Sequence, residues 1–150
     1  MVFMISFASL ISSHTLKVMT FNVFEYQWPQ NQKERNLRVK SITNSIIESD
    51  ADIVLIQEDH FDGHYSPTQH IKGYQLVTFC KVKPYEQKGL GNSILVKSNY
   101  WINNNITILH ATSIDTTEGC PTPRCANYVQ FSNGISCVNT RDGLTWHCVM

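Results

Sequence analysis

The chain has 150 residues, with 12 Lys and Arg against 12 Asp and Glu, so its net charge is zero. That length suffices for one domain with a real core. The charge balance excludes a protein that holds nucleic acid through an overall positive field. With 42% hydrophobic and only 16% charged residues, the chain is not a disordered, self-repelling one either.

Met1 to Ile11 is mostly apolar and is followed by Ser12-Ser13-His14. Residues 1–13 read as a short leader peptide without a basic start, or as a disordered N-terminus. The run is too short to span a bilayer, so no transmembrane span is expected. A cytoplasmic location is favoured over secretion. In a secreted chain, Asn105-Ile106-Thr107 would be a glycosylation acceptor.

Leu16–Phe21 is an apolar run of the kind that forms a buried strand, and it stops at Asn22. Val23–Glu34 reads as a polar loop carrying Phe24, Tyr26 and Trp28. Arg35–Ser49 reads as a helix: Val39, Ile42 and Ile46 share one face, flanked by Leu37 and Ile47. Lys33, Arg35, Arg38 and Lys40 form the densest basic group and read as its solvated side. Asp50-Ala51-Asp52 ends the helix and opens a second apolar run that stops at Glu58. Strand, helix, strand is the right-handed crossover that parallel strands require.

Beyond Glu58 the pattern changes. Asp59 to Lys72 is a polar loop with His60, His64 and His70. Asp62-Gly63 marks a turn there, which argues against His60 and His64 sharing a helical, metal-binding face. Strands are expected over Gly73–Phe79, Asn92–Lys97 and Ile106–Thr112, with a loop over Lys81–Gly91 and turns over Thr116–Pro123. Ala126–Phe131 and Ile135–Thr140 read as a hairpin across Ser132-Asn133-Gly134. One helix followed by a run of strands predicts an α+β sandwich in one domain, 1–150.

The five cysteines are Cys80, Cys120, Cys125, Cys137 and Cys148. Cys120 and Cys125 bracket four residues and would close a short disulfide loop in an oxidising compartment. Reduced core and loop cysteines are the alternative, and the odd count leaves at least one thiol free within a monomer. No spacing matches a structural zinc site.

Asn22 and Glu58 carry the chemistry. They end two strands joined by one helix, which brings an amide and a carboxylate side by side at a sheet edge. Mg²⁺ takes oxygen ligands and needs only one or two carboxylates, and a bound metal can neutralise a phosphate and activate water. Taken singly, Asn22 would be a turn cap and Glu58 a solvated loop residue.

These two motifs resemble the start of the endonuclease/exonuclease/phosphatase superfamily, whose members are DNase I-like, metal-dependent phosphoesterases. Gly91-Asn92-Ser93-Ile94-Leu95-Val96 resembles the strand after that family's substrate loop. Arg124 stands where the family often has a phosphate-contacting arginine, suited to bidentate binding. Cys137-Val138-Asn139-Thr140 resembles the strand that runs into Asn-Thr-His-Leu. The resemblance covers Leu16 to Thr140. It implies a partial DNase I-like α/β sandwich and Mg²⁺ (or Mn²⁺) held by Glu58 and Asn22. It further implies Asn22, Glu58 and Arg124 as catalytic residues, and Asn92 on the substrate. The implied substrate is a phosphoester: nucleic acid, inositol phosphate or phospholipid. Tyr65, Tyr74 and Tyr85 would be substrate contacts by the same resemblance, with packing as their default role.

The departures are specific. Arg141 stands where the family has a catalytic histidine, and arginine stays protonated and cannot exchange protons near neutral pH. His147 is the nearest histidine and reads as part of a surface tail. The family's Asp-x-Asn motif and late Asp-His pair have no counterpart here, so the resemblance implies a C-terminally incomplete domain. A catalytically inactive remnant that binds a phosphorylated ligand or a protein partner is the alternative function. An incomplete sandwich would also leave an inner sheet face open, which implies a homo-oligomer or a second chain covering it.

Overall fold

The computed structural model describes residues 2–8, 15–23, 31–60, 71–80, 90–104, 106–115, 125–140 and 147–149. In chain order these form β1 (Val2–Ala8), β2 (Thr15–Asn22), α1 (Gln32–Ser49), β3 (Ile53–His60), β4 (Tyr74–Cys80), β5 (Leu90–Lys97), α2 (Ser98–Asn104), β6 (Ile108–Asp115), β7 (Cys125–Phe131), β8 (Ser136–Thr140) and β9 (His147–Val149). No helix among the described residues is long and apolar enough to cross a membrane.

The apolar runs at the start of the chain build the centre of the larger sheet, ordered β1-β2-β3-β5-β4. β2 and β3 run parallel, with Phe21 opposite Ile56 and Asn22 opposite Gln57. α1 makes the crossover between them. It starts where Asn31 accepts a hydrogen bond from the Glu34 amide at 3.2 Å, an N-cap. It stops at Asp50, which adopts a left-handed conformation, φ 51°, as helix C-termini commonly require. Ile42 and Ile46 are buried while Leu37 and Ile47 are exposed, so the stripe of Val39, Ile42 and Ile46 faces the sheet. There it meets Met19, Val54, Ile56 and Leu95.

The other face of the larger sheet packs on a four-stranded sheet, ordered β6-β7-β8-β9. Leu16, Val18, Ile53, Leu55, Ile94 and Val96 from the first meet Val129, Phe131, Ile135 and Cys137 from the second. Trp101 of α2 closes one side edge-on to Phe131, ring centroids 5.3 Å apart. The β7–β8 hairpin turns at Gly134, whose φ of 88° suits glycine.

Three expectations need correction. The inner face of the larger sheet is not left open: β6 to β9 cover it, which removes the physical reason for a second chain there. Cys125 is bonded to Cys80, so the Cys120–Cys125 loop does not form. This bridge ties β4 to β7, one strand from each sheet. Cys137 is also disulfide-bonded; its cross-strand partner in register is Cys148. Residues 147–149 are no tail, since they pair with β8 as β9. Tyr74 has its default packing role: its hydroxyl donates to the Ala51 carbonyl at 2.8 Å, anchoring β4 to the end of α1. Elsewhere, residues 2–8 of the N-terminal stretch pair antiparallel with β2.

The N-terminal ends of β2 and β3 carry a solvated ion cluster. Asp50 accepts from Lys17 at 3.3 Å and from Lys97. The Lys97 hydrogen bond first, then that from Lys17, holds its carboxyl below the usual range. Burial, followed by the Asp50 charge, pushes the Tyr74 phenol up to about 12.

Candidate functional site

At the opposite end of the same strands, the parallel register sets Asn22 beside Gln57. The ladder between β3 and β5 slips between Gln57 and Asp59, so Glu58 is the extra residue of a β-bulge. Its φ is 57°, a left-handed conformation that costs a non-glycine residue roughly 1–2 kcal/mol. The bulge turns Glu58 out of the alternation and onto Asn22. Asn22 Nδ2 donates to Glu58 Oε1 at 3.2 Å. Glu58 Oε2 is buried and has no hydrogen-bond partner among the described residues. The two residues expected to form a site are therefore joined, and one carboxylate oxygen is held back from water with no donor among the described residues.

Beneath this pair lies a layer of buried polar side chains between the sheets. Gln57 Nε2 reaches Asn139 Oδ1 at 2.7 Å, Thr20 Oγ1 at 3.1 Å and the Leu55 carbonyl at 3.1 Å. Asn139, from the second sheet, donates to the carbonyls of Ile56 at 2.8 Å and Ser93 at 2.9 Å. Asp59 is fully buried and accepts from Ser93 Oγ. Arg38 of α1 donates to the Val23 carbonyl at 2.8 Å, so one member of the basic helical group turns inward and ties α1 to the residue after Asn22. Gly91 faces Asp59 across the ladder. A Cβ there would lie 2.5 Å from the Cys80 carbonyl oxygen, so only glycine lets β4 pass this close to the bulge.

Asn92 is placed differently from Asn22 and Glu58. It is fully buried and its Nδ2 donates to the Cys125 carbonyl at 2.8 Å. Asn127 in turn donates to the Asn92 carbonyl at 2.8 Å. Arg124 and Arg141 lie outside the described residues, as do His64, His70, Tyr65 and Tyr85. Sequence reading missed Gln57, Asp59 and Asn127. A glutamine ending an apolar run directly before Glu58 was the available signal for the first of these.

No protein-family model matches the chain, and no curated protein matches it in sequence. Among solved structures, crystal structures of D. rerio TDP2 share the fold. A humanized form carrying 14 mutations is 15% identical, with a TM-score of 0.51 over 78% of this chain and 42% of that one. A complex with single strand DNA product is 16% identical, with a TM-score of 0.52 over 82% of this chain and 43% of that one. TDP2 is a DNase I-like protein of the endonuclease/exonuclease/phosphatase superfamily. The resemblance first carried by Asn22 and Glu58 is thus matched in the fold, and the chain spans less than half the length of these structures.

Proposed function

We propose that this chain carries the Asn22–Glu58 half of a Mg²⁺-dependent phosphoester-hydrolysing site. One observation carries the reading: a strained bulge aims Glu58 so that one oxygen rests on Asn22 and the other is buried with no donor among the described residues. A buried unpartnered carboxylate oxygen is costly, and a hard cation is the partner that oxygen ligands suit best. Glu58 would hold the ion, and Mn²⁺ fits the same oxygen donor. The bound ion would supply a Lewis acid that neutralises phosphate charge.

The chain's own residues do the positioning. Asn22 fixes the rotamer of the Glu58 carboxylate through Oε1. Arg124 would steady the phosphate with its planar fork. Asn92 acts indirectly, by holding the carbonyl of Cys125, the residue that follows Arg124. A nucleic-acid phosphodiester is the favoured substrate, supported by the fold shared with a TDP2 crystallised with single strand DNA product. The buried Cys80–Cys125 bridge and the disulfide at Cys137 support an oxidising compartment over the cytoplasm.

A second reading, ligand binding without turnover, has its own observation. Among the described residues no three His, Cys, Asp or Glu side chains gather as a metal cage. Release of nitrophenol from bis-p-nitrophenyl phosphate separates the two. Mg²⁺-dependent release that disappears in Glu58→Gln supports hydrolysis. Mg²⁺-dependent binding of the diester without release selects the second reading, and neither response removes both.

A further inference from the structure

Glu58 occupies a conformation its own chemistry disfavours, so something must hold it there. Its neighbours on both sides are locked. Gln57 is buried and its amide nitrogen reaches three acceptors, among them Asn139 Oδ1 at 2.7 Å. Asp59 is fully buried on Ser93 Oγ. Asn139 also spends both of its amide hydrogens on the two strands that carry the bulge, at Ile56 of β3 and Ser93 of β5. Thus a single side chain from the second sheet, 82 positions from Gln57, grips both strands directly beside the irregularity.

We propose that Asn139 is a positioning residue that couples docking of the second sheet to the shape of the Glu58 bulge, and through it to cation binding at Glu58. The last clause rests on the reading of Glu58 as a cation ligand, while the coupling to the bulge does not. In an unclamped ladder, β3 would regain its normal register. Glu58 would leave the left-handed region, and its carboxylate would part from Asn22. An amide suits this role because it donates two hydrogen bonds and accepts one in a single plane. Leucine at the same position would fill the space and make none of these bonds.

The test uses the whole chain in three forms: wild type, Asn139→Leu, and Val129→Ala. The last destabilises the same interface without touching the clamp. Two quantities are read. Backbone ¹³C shifts and the HN–Hα coupling of Glu58 report its φ by NMR, and Mn²⁺ titration followed by electron paramagnetic resonance reports cation affinity. Expected are a folded Asn139→Leu whose Glu58 signals leave left-handed values and whose Mn²⁺ affinity falls at least tenfold. Val129→Ala should keep both at wild-type values despite its lower melting temperature. Should Asn139→Leu not fold, Gln57→Met breaks the same bond from the other side and carries the same expectation. Wild-type Glu58 signals in a folded Asn139→Leu or Gln57→Met overturn the proposal, whatever the metal does. A wild type that shows the left-handed signals, loses them in Asn139→Leu, but binds no Mn²⁺ keeps the clamp and removes the cation reading instead.

Discussion

The two ends of the central strands differ in how they treat the same oddity. Each has a non-glycine residue in the left-handed region: Asp50 at one end, φ 51°, and Glu58 at the other, φ 57°. Asp50 is a helix C-cap, where this conformation is ordinary, and both its oxygens meet lysines in solvent. Glu58 sits inside a strand, where the conformation breaks the ladder, and one of its oxygens has no hydrogen-bond partner among the described residues. The first end spends its irregularity on ending a helix. The second accumulates strain, a bare oxygen and a layer of buried amides within a few residues. Open sheets commonly bind ligands at the carboxyl ends of their parallel strands, and that is the end where Asn22 and the Glu58 bulge lie.

The largest effect expected from breaking this contrast lies in the bridge near the Glu58 end. The Cys80→Ala/Cys125→Ala double variant opens a loop with a sequence separation of 45. Loop-closure entropy then predicts a loss of about 4 kcal/mol in urea unfolding. A loss under about 1 kcal/mol would mean that the two sheets dock without the bridge.

Strain at Glu58 is read by comparing two variants that both lack the carboxylate. Glu58→Gly is expected to be more stable than Glu58→Ala by about 1 kcal/mol, because only glycine tolerates positive φ freely. Equal stabilities would show that the bulge relaxes at no cost.

At the solvated end the effects are smaller and depend on pH. The Tyr74 phenol titrates at about 12 in the folded chain against about 10 when unfolded. The folded state therefore holds this proton more tightly. Its contribution is complete below pH 10 and is lost as pH rises from about 10 toward 12. Melting temperatures from pH 9 to 12 should fall more steeply in wild type than in Tyr74→Phe, and parallel curves would remove the assignment. Smallest of all, Lys17→Ala should cost no more than about 1 kcal/mol, as exposed ion pairs do. It should also leave any metal response unchanged.

Much of the fold was legible because the sequence signals coincide. The Val39, Ile42, Ile46 stripe and the run from Ile53 to Ile56 identify α1 and β3 almost to their ends, and Asn133-Gly134 marks the β7–β8 turn. α2 was not legible, since Ser98–Asn104 shows no amphipathic period and is held largely by Trp101 packing on Phe131. β9 was missed because three residues are too few for alternation to register. The Asn22–Glu58 pair was legible as two polar stops after apolar runs. Its support was not: the Gln57–Asn139 bond joins residues far apart in sequence, and Cys80–Cys125 spans two sheets. Neither partner announces the other by spacing, and cysteine connectivity cannot be deduced from sequence alone.

Thermal melting of the chain across a Mg²⁺ titration is the sharpest test of Glu58 as the proposed cation ligand. Ligand at a hundredfold excess over its dissociation constant stabilises the folded state by about 2.7 kcal/mol, a shift of several degrees for a chain of this size. A saturable rise is expected in wild type and none in Glu58→Gln, whose melting temperature without metal stays within a few degrees of wild type. The same rise in both proteins, or in neither, would contradict the proposal.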